Sequence, residues 1–179
     1  MVADELCSYA RKGSGKHPVF PWRKDWENRG FPRGARGNPA TNHIMDKVVI
    51  YTDGGARGNP GPAGAGVVII DGEKKTEIKQ YLGEKQTNNW AEYEAVVIAL
   101  GRALEMLLRD RDLEFRLDSQ LVVEQLKGNW KIKEPNLKQQ AQKVRDLLKD
   151  FGTVTFTYVP REENKEADRL VNEALDEKI

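Results

Sequence analysis

The spacing of apolar residues along positions 47 to 175 constrains the fold more than any other feature of the sequence. Early segments are short apolar runs or alternate apolar and polar residues, as strands do. Later segments add apolar residues three and four positions apart, as on one face of a helix. Both periods occur within about 130 residues, which is enough chain to bury a hydrophobic core. The pattern therefore predicts one mixed α/β domain.

The predicted elements follow the order βββαβααβα. Three strands over residues 48–52, 66–70 and 76–82, with short links, predict an antiparallel meander, and the first strand ends at a glycine-rich turn. A helix over Trp90–Leu108 follows, with Thr87 or Asn88 as its cap. The remaining predicted elements are a strand over Leu113–Asp118, a helix capped by Ser119 and ending at Leu126, a helix over Asn136–Lys149, a strand over Thr153–Val159 and a helix over Glu163–Leu175.

The first 45 residues differ in composition from the rest. They hold 8 Lys and Arg against 4 Asp and Glu, whereas residues 46–179 hold 21 against 24, so the net charges are +4 and -3. Glycine and proline recur there without periodicity, which predicts a flexible basic N-terminal extension over residues 1–45 and a folded domain over residues 46–179. Its aromatic and basic residues suit contact with nucleic acid. The alternatives are a passive tail, a cloning remnant or an upstream start before Met45.

Hydropathy and cysteine content exclude several classes of protein. No run approaches the roughly 18 apolar residues of a membrane-spanning helix, and the N-terminus carries charges where a signal peptide would be apolar. Cys7 is the one cysteine, which excludes an internal disulfide and a thiolate metal cluster. We therefore expect a cytoplasmic protein without a membrane partner. We also expect a monomer.

Four acidic residues occupy positions where a solvated surface charge is not expected. Asp53 and Asp118 each end a predicted strand, and open α/β sheets place their sites at such ends. Glu92 lies at the apolar boundary of the first long helix, and Asp168 follows Asn164 by one turn in the last helix. Each position alone suits a structural cap or a solvated charge, but together the four predict a shared site.

Four segments, in order, resemble the successive signatures of the type 1 ribonuclease H family: Tyr51–Gly64, Thr87–Glu92, Asp118–Val122 and Glu163–Asp168. The resemblance extends from about Met45 to the end of the chain, and the predicted order of elements is that of the family. It implies a ribonuclease H-like α/β fold, with a mixed five-stranded sheet flanked by helices. It also implies an endonuclease that hydrolyses the RNA strand of RNA-DNA hybrids and leaves 5′-phosphate and 3′-hydroxyl ends.

The resemblance also implies a metal-dependent mechanism. Four carboxylates without His or Cys form an oxygen-only site, which suits Mg²⁺ or Mn²⁺ and disfavours Zn²⁺. Two ions about 3.5 to 4 Å apart would neutralise them, activate a water and stabilise the leaving 3′ oxygen. By resemblance, Asp53 and Asp118 anchor both ions, Glu92 ligates one and Asp168 holds the other.

Five polar residues match positions that the family uses to bind the hybrid. By resemblance, Asn59, Asn88, Asn89 and Gln120 contact its minor groove and backbone, and Thr87 binds a DNA phosphate. Amides donate to and accept from 2′-hydroxyls and base edges, and the 2′-hydroxyl distinguishes RNA from DNA. The alternative for Asn88 and Asn89 is helix capping.

Trp130, among Lys127, Lys131 and Lys133, resembles the family's aromatic contact to the DNA sugar-phosphate backbone. The alternative is a tryptophan that packs its loop onto the core.

The sequence departs from the family pattern in one catalytic loop. Many members carry a His before the last acid, whereas the two histidines here are His17 and His43, both in the extension. Arg161 or Glu162 is a candidate substitute.

Two other functional classes remain open at this stage. One is a non-catalytic nucleic-acid-binding domain on the same fold, against which four intact acids argue. The other is the nuclease portion of a larger polyprotein or polymerase, which the Met at position 1 and the chain's end shortly after its last helix disfavour.

Overall fold

The structure, a computed structural model, describes residues 47–178. The predicted extension over residues 1–45 lies outside the described residues, and so do His17 and His43.

A five-stranded mixed sheet forms the centre of the described region, as predicted. Its strand order is β3-β2-β1-β4-β5. The first three strands pair antiparallel in sequence order, and β1 pairs parallel with β4, which pairs parallel with β5. The strands are β1 (Val48–Ala56), β2 (Gly61–Asp71), β3 (Lys74–Gln86), β4 (Leu113–Leu117) and β5 (Val154–Tyr158).

Across residues 47–178, four α-helices complete the predicted order, together with a short 3₁₀ turn over Arg161–Glu163 that the periodicity did not predict. Thr87 is the N-cap of the first helix, and its Oγ1 accepts a hydrogen bond from the Trp90 N–H at 3.3 Å. Ser119 occupies the N-cap position of the second helix, but its side chain makes no capping hydrogen bond, so that part of the prediction is wrong. The helices are α1 (Asn88–Glu105), α2 (Gln120–Leu126), α3 (Pro135–Leu148) and α4 (Lys165–Glu177).

The first two strands are longer than the sequence pattern predicts. The predicted glycine turn begins after Thr52, yet β1 continues through Gly54 to Ala56, and β2 begins at Gly61 rather than Gly66. These glycines pair in the antiparallel ladders of β2 with β1 and β3 instead of turning the chain.

Close helix packing explains why glycine occurs inside these strands. A Cβ on Gly54 would lie 2.2 Å from the carbonyl carbon of Ala91 in α1, and a Cβ on Gly66 would lie 2.2 Å from the carbonyl oxygen of Ala167 in α4. Successive strand residues point to opposite faces, and Gly55 faces Val171 of α4. Helices α1 and α4 therefore press onto opposite faces of β1.

The main hydrophobic core lies between the sheet and helices α1, α2 and α3. Phe115 of β4 and Phe156 of β5 pack there with ring centroids 5.3 Å apart. Tyr93 is fully buried, and its hydroxyl donates to Gln125 Oε1 at 2.9 Å. Within residues 47–178, no helix is long and apolar enough to cross a membrane.

The parallel pairing of β1 and β4 brings two of the predicted acids to one edge of the sheet. Thr52 and Leu117 are register partners, and Asp53 and Asp118 follow them directly. The two acids therefore lie side by side where the pairing of β1 with β4 stops. Because β1 itself continues past Asp53 to Ala56, the prediction that Asp53 ends its strand is wrong.

Candidate active site

Three acidic side chains converge where α1 crosses β1, beside the end of β4. Carboxylate oxygens of Asp53, Glu92 and Asp118 all lie within 4.8 Å of one another. Asp53 is 8% exposed and Glu92 is 7% exposed, whereas Asp118 is more accessible. Because Gly54 has no side chain, α1 approaches β1 closely enough for the Glu92 carboxylate to lie near that of Asp53.

Burial and the charges of neighbouring acids disfavour the charged forms of Asp53 and Glu92. Burial, with the neighbouring charges of Asp118 and Asp168, raises the pKa of Asp53 to about 7. Burial, with the charges of Asp53 and Asp118, raises the pKa of Glu92 well above its ordinary value. Without a cation, the folded domain therefore retains protons on carboxylates that would be ionised in water.

The donor atoms fit a hard divalent cation. Among the described residues, the buried Glu92 Oε2 has no hydrogen-bond partner, so it is available as a ligand. The three converging groups are carboxylates, which matches the oxygen preference of Mg²⁺ and Mn²⁺. A cation at this position would offset the repulsion that raises the two pKa values.

Asp168 borders the same cavity, of about 250 Å³, but its carboxylate lies outside the group of three. Arg161 Nη2 donates to Asp168 Oδ1 at 2.5 Å, and Asn172 Nδ2 donates to Asp168 Oδ2 at 3.2 Å. The structure therefore brings all four predicted acids to one cavity, three in mutual contact range and the fourth paired with Arg161.

Asn164 links the end of β4 to the start of α4. Its Nδ2 donates to the Thr52 carbonyl oxygen at 3.0 Å and to Asp118 Oδ1 at 2.8 Å, and the residue is 1% exposed. The sequence placed Asn164 in the polar stripe around Asp168, but its contacts with β1 and β4 span more than 40 positions and have no local signal.

Two of the predicted substrate residues connect the β1–β2 link to the start of α1. The Asn88 N–H donates to Asn59 Oδ1 at 3.2 Å, and the Ala56 N–H donates to Asn88 Oδ1 at 3.3 Å. Thr87 takes the capping position, and Asn88 lines the acidic cavity. Both asparagines are exposed, so their remaining amide atoms face solvent beside the acids.

Asn89 and Trp130 line a second cavity of about 260 Å³, together with Lys131 and Lys133. Trp130 is 47% exposed, which is more than expected for a side chain that only anchors its loop. Gln120 begins α2 as an exposed residue, two positions after Asp118, and lines neither cavity.

A family profile described as reverse transcriptase-like matches residues 51–174, a range that includes all four acids. LC11-RNase H1, solved in complex with RNA/DNA hybrid, is 45% identical with a TM-score of 0.69, covering 73% of this chain and 98% of that one. The chain belongs to the type 1 ribonuclease H family.

Other members of the family come from archaea and bacteria. Ribonuclease HI of Halobacterium salinarum is 44% identical over 133 residues, covering 73% of this chain and 65% of the archaeal protein. A bifunctional protein of Mycobacterium tuberculosis is 43% identical over 133 residues. The matched region covers 73% of this chain but only 36% of the mycobacterial protein, so this ribonuclease H chain spans about a third of the first curated relatives' length.

Proposed function

We propose that this chain is an endoribonuclease that hydrolyses the RNA strand of RNA-DNA hybrids and leaves 5′-phosphate and 3′-hydroxyl ends. The observation that carries the proposal is the group of three converging carboxylates, two of them buried, in a member of the type 1 ribonuclease H family. The proposed cofactor is Mg²⁺ or Mn²⁺, two ions per site. When bound, the ions supply an activated water and stabilise the leaving oxygen.

The four acids have distinct proposed roles. Asp53 within β1 and Asp118 after β4 would hold both ions, Glu92 would hold one from α1 and Asp168 would hold the other from α4. Asn164 fixes the orientation of the Asp118 carboxylate through its 2.8 Å hydrogen bond. Such supporting hydrogen bonds keep metal ligands in a productive geometry.

Arg161 occupies the loop in which many family members carry a His. Its guanidinium donates to Asp168, whose carboxylate raises the pKa of Arg161 further above its ordinary value. A group that holds its proton this firmly is a poor proton carrier near neutral pH. We assign Arg161 to positioning Asp168 and to neutralising negative charge on the substrate, rather than to proton transfer.

The proposed substrate contacts follow the family's pattern. Asn59, Asn88, Asn89 and Gln120 would bind the minor groove and backbone of the hybrid, and their amides suit recognition of the RNA 2′-hydroxyl. Thr87 would bind a DNA phosphate, and the half-exposed Trp130 would contact the DNA sugar-phosphate backbone.

The domain organisation is part of the proposal. Residues 46–179 would carry the enzymatic activity, as a cytoplasmic monomer, and the basic residues 1–45 would add phosphate contacts. Deleting residues 1–44 is expected to leave kcat unchanged while raising KM and reducing its salt dependence. An equal KM at every salt concentration would show that the extension does not contact substrate.

A cleavage assay with defined duplexes tests the activity. RNA-DNA, RNA-RNA and DNA-DNA duplexes of one sequence are incubated with the full chain while Mg²⁺ and Mn²⁺ are titrated. We expect metal-dependent cutting of the RNA strand in the hybrid, and product fragments that a ligase accepts through 5′-phosphate and 3′-hydroxyl ends. Absence of cutting with either ion would reject the proposal.

A further inference from the structure

Two basic side chains, Arg57 and Arg161, are found among the described residues that line the acidic cavity. Arg161 donates a hydrogen bond to Asp168, one of the four acids of the site. Arg57 instead donates from Nη2 to Asp176 Oδ1 at 2.6 Å, and Asp176 lies near the end of α4, outside the lining of the cavity. The Arg57 cation is therefore paired with an acid that has no assigned role.

The backbone of Arg57 is fixed at the mouth of the site. Its N–H donates to the Pro62 carbonyl oxygen at 2.8 Å across the β1–β2 link. Asn59, two residues later, is held by the Asn88 N–H. The backbone of Arg57 is thus anchored beside two proposed substrate residues, Asn59 and Asn88. Its guanidinium, at the end of a long side chain, can exchange partners.

The ion pair between Arg57 and Asp176 is exposed and easily exchanged. The two side chains are 51% and 65% exposed, and solvent screening leaves such pairs little net stability. A phosphate diester offers a guanidinium two oxygens in a fixed arrangement, which gives stronger and more directional binding than one exposed carboxylate oxygen.

From this arrangement, and resting on the function proposed above, we propose that Arg57 binds a backbone phosphate of the hybrid and that Asp176 competes for it. In the free protein Asp176 holds the Arg57 guanidinium, and the substrate phosphate replaces that carboxylate on binding. Arg57 is then a specific phosphate ligand at the edge of the cavity that holds the four acids.

Equilibrium binding of a fluorescently labelled RNA-DNA hybrid tests the exchange. All variants are made in an Asp53→Asn background, which prevents cutting, and Kd is measured by anisotropy between about 50 and about 200 mM salt. Arg57→Ala is expected to raise Kd about tenfold and to reduce the slope of log Kd against log salt by about one.

Asp176→Asn is expected to lower Kd by about twofold to fivefold, because it removes the competing carboxylate. In the Arg57→Ala background, Asp176→Asn is expected to leave Kd unchanged, because the guanidinium for which Asp176 competes is absent. A purely structural role for the ion pair predicts instead that both single variants weaken binding in parallel with a lower Tm, and that result would overturn the inference.

Arg102→Ala provides a matched control. Arg102 makes a 2.6 Å pair with Glu105 on α1, with 45% and 66% exposed side chains, and it lines a different cavity. The Arg102→Ala substitution should leave Kd and the salt slope unchanged. If Arg102→Ala and Arg57→Ala weaken binding equally, the effect reflects loss of any positive charge, and the inference is overturned.

Failure of this inference is distinguishable from failure of the proposed function. If the unsubstituted chain cuts the hybrid but Arg57→Ala binds it as tightly as its parent, the function stands and the inference is wrong. If the unsubstituted chain neither binds nor cuts the hybrid, both are wrong.

Discussion

Asn164 donates a hydrogen bond to the Asp118 carboxylate at 2.8 Å, so the residue that precedes α4 orients an acid at the end of β4. The same amide nitrogen donates to the Thr52 carbonyl oxygen, one residue before Asp53. One buried side chain thus connects β1, β4 and α4 at the candidate site. Helix α4 also carries Asp168, so this link fixes the relative positions of elements that supply three of the four acids.

Asn164→Ala should therefore impair metal binding more than folding. The substitution frees the Asp118 carboxylate to rotate, and loss of such a supporting hydrogen bond typically lowers metal affinity or activity about 10 to 100-fold. The Mg²⁺ concentration that gives half of the metal-induced rise in Tm should increase by a similar factor. Asn129→Ala, which removes a 2.7 Å hydrogen bond to Glu124 from an exposed side chain that lines neither cavity, is the control. An unchanged Mg²⁺ midpoint in Asn164→Ala would contradict the positioning role.

The stability of the metal-free domain should fall as pH rises from about 5 to about 8. The pKa of Asp53 is about 7 in the folded state against an ordinary value of 3.8, so in this window the folded state binds more protons than the unfolded state. The free energy of unfolding then decreases with pH, and the raised pKa of Glu92 acts in the same direction. Exposed acids with lowered pKa values, such as Glu77, change stability at lower pH.

Thermal melts in EDTA provide the measurement. We expect Tm to fall by several degrees across the window, Asp53→Asn to flatten the dependence, and saturating Mg²⁺ to abolish it. Tm values that rise with pH in EDTA would contradict the assigned origin of the pKa shift.

Gly54→Ala should destabilise the domain and displace Glu92. The added Cβ would lie 2.2 Å from the Ala91 carbonyl carbon and 2.3 Å from the Glu92 nitrogen, so α1 must move away from β1. Overpacking against backbone of this kind costs about 3 kcal/mol. Denaturant unfolding of Gly54→Ala measures the loss.

Gly101→Ala, a substitution within α1, should instead raise the free energy of unfolding. No atom lies within 4 Å of a Cβ at this position, so alanine gains its helix propensity, about 1 kcal/mol, without a clash. Equal stability of the Gly54→Ala and Gly101→Ala variants would show that α1 does not pack on β1 as closely as described.

Leu107→Gly should stabilise the C-terminus of α1. Leu107 has a φ of 60° and is 84% exposed. The Leu108 N–H donates to the Ala103 carbonyl oxygen, and the Leu107 N–H donates to the Leu104 carbonyl oxygen, both at 3.0 Å. These bonds form a Schellman motif, in which glycine is favoured at the left-handed position. Relief of the left-handed strain is worth about 1 kcal/mol.

Chemical denaturation of Leu107→Gly and Leu107→Ala separates the two contributions of this leucine. The alanine variant retains the Cβ and should show little gain. A loss of stability in Leu107→Gly would indicate that the exposed side chain makes contacts that offset its strain.

The sequence predicted those parts of the site that depend on local pattern. The apolar runs before Asp53 and Asp118 predicted two strands, and the pairing of β1 with β4 brings these acids together, although β1 extends past Asp53 to Ala56. The spacing that buries one side of α1 places Glu92 beside them. Strand alternation and helix spacing are local properties, which is why the order of elements was predictable.

Other features depend on tertiary contacts that leave no local pattern. The glycines after Thr52 indicate a turn by composition, but Gly54 and Gly66 serve helix packing in the folded chain. The Arg57–Asp176 pair joins residues 119 positions apart, and Asn164 meets Thr52 across 112 positions. Partners at such separations are set by the packing of α4 on the sheet.

The most direct test of the central claim compares the full chain with its Asp53→Asn variant on one labelled RNA-DNA hybrid in saturating Mg²⁺. Cleavage rate and hybrid Kd are measured for both proteins. We expect the variant to bind the hybrid with a Kd similar to that of the parent while losing essentially all cleavage, because Asp53 is a proposed ligand of both metal ions. Undiminished cleavage by Asp53→Asn, or binding of the hybrid without cleavage by the full chain, would contradict the proposed nuclease.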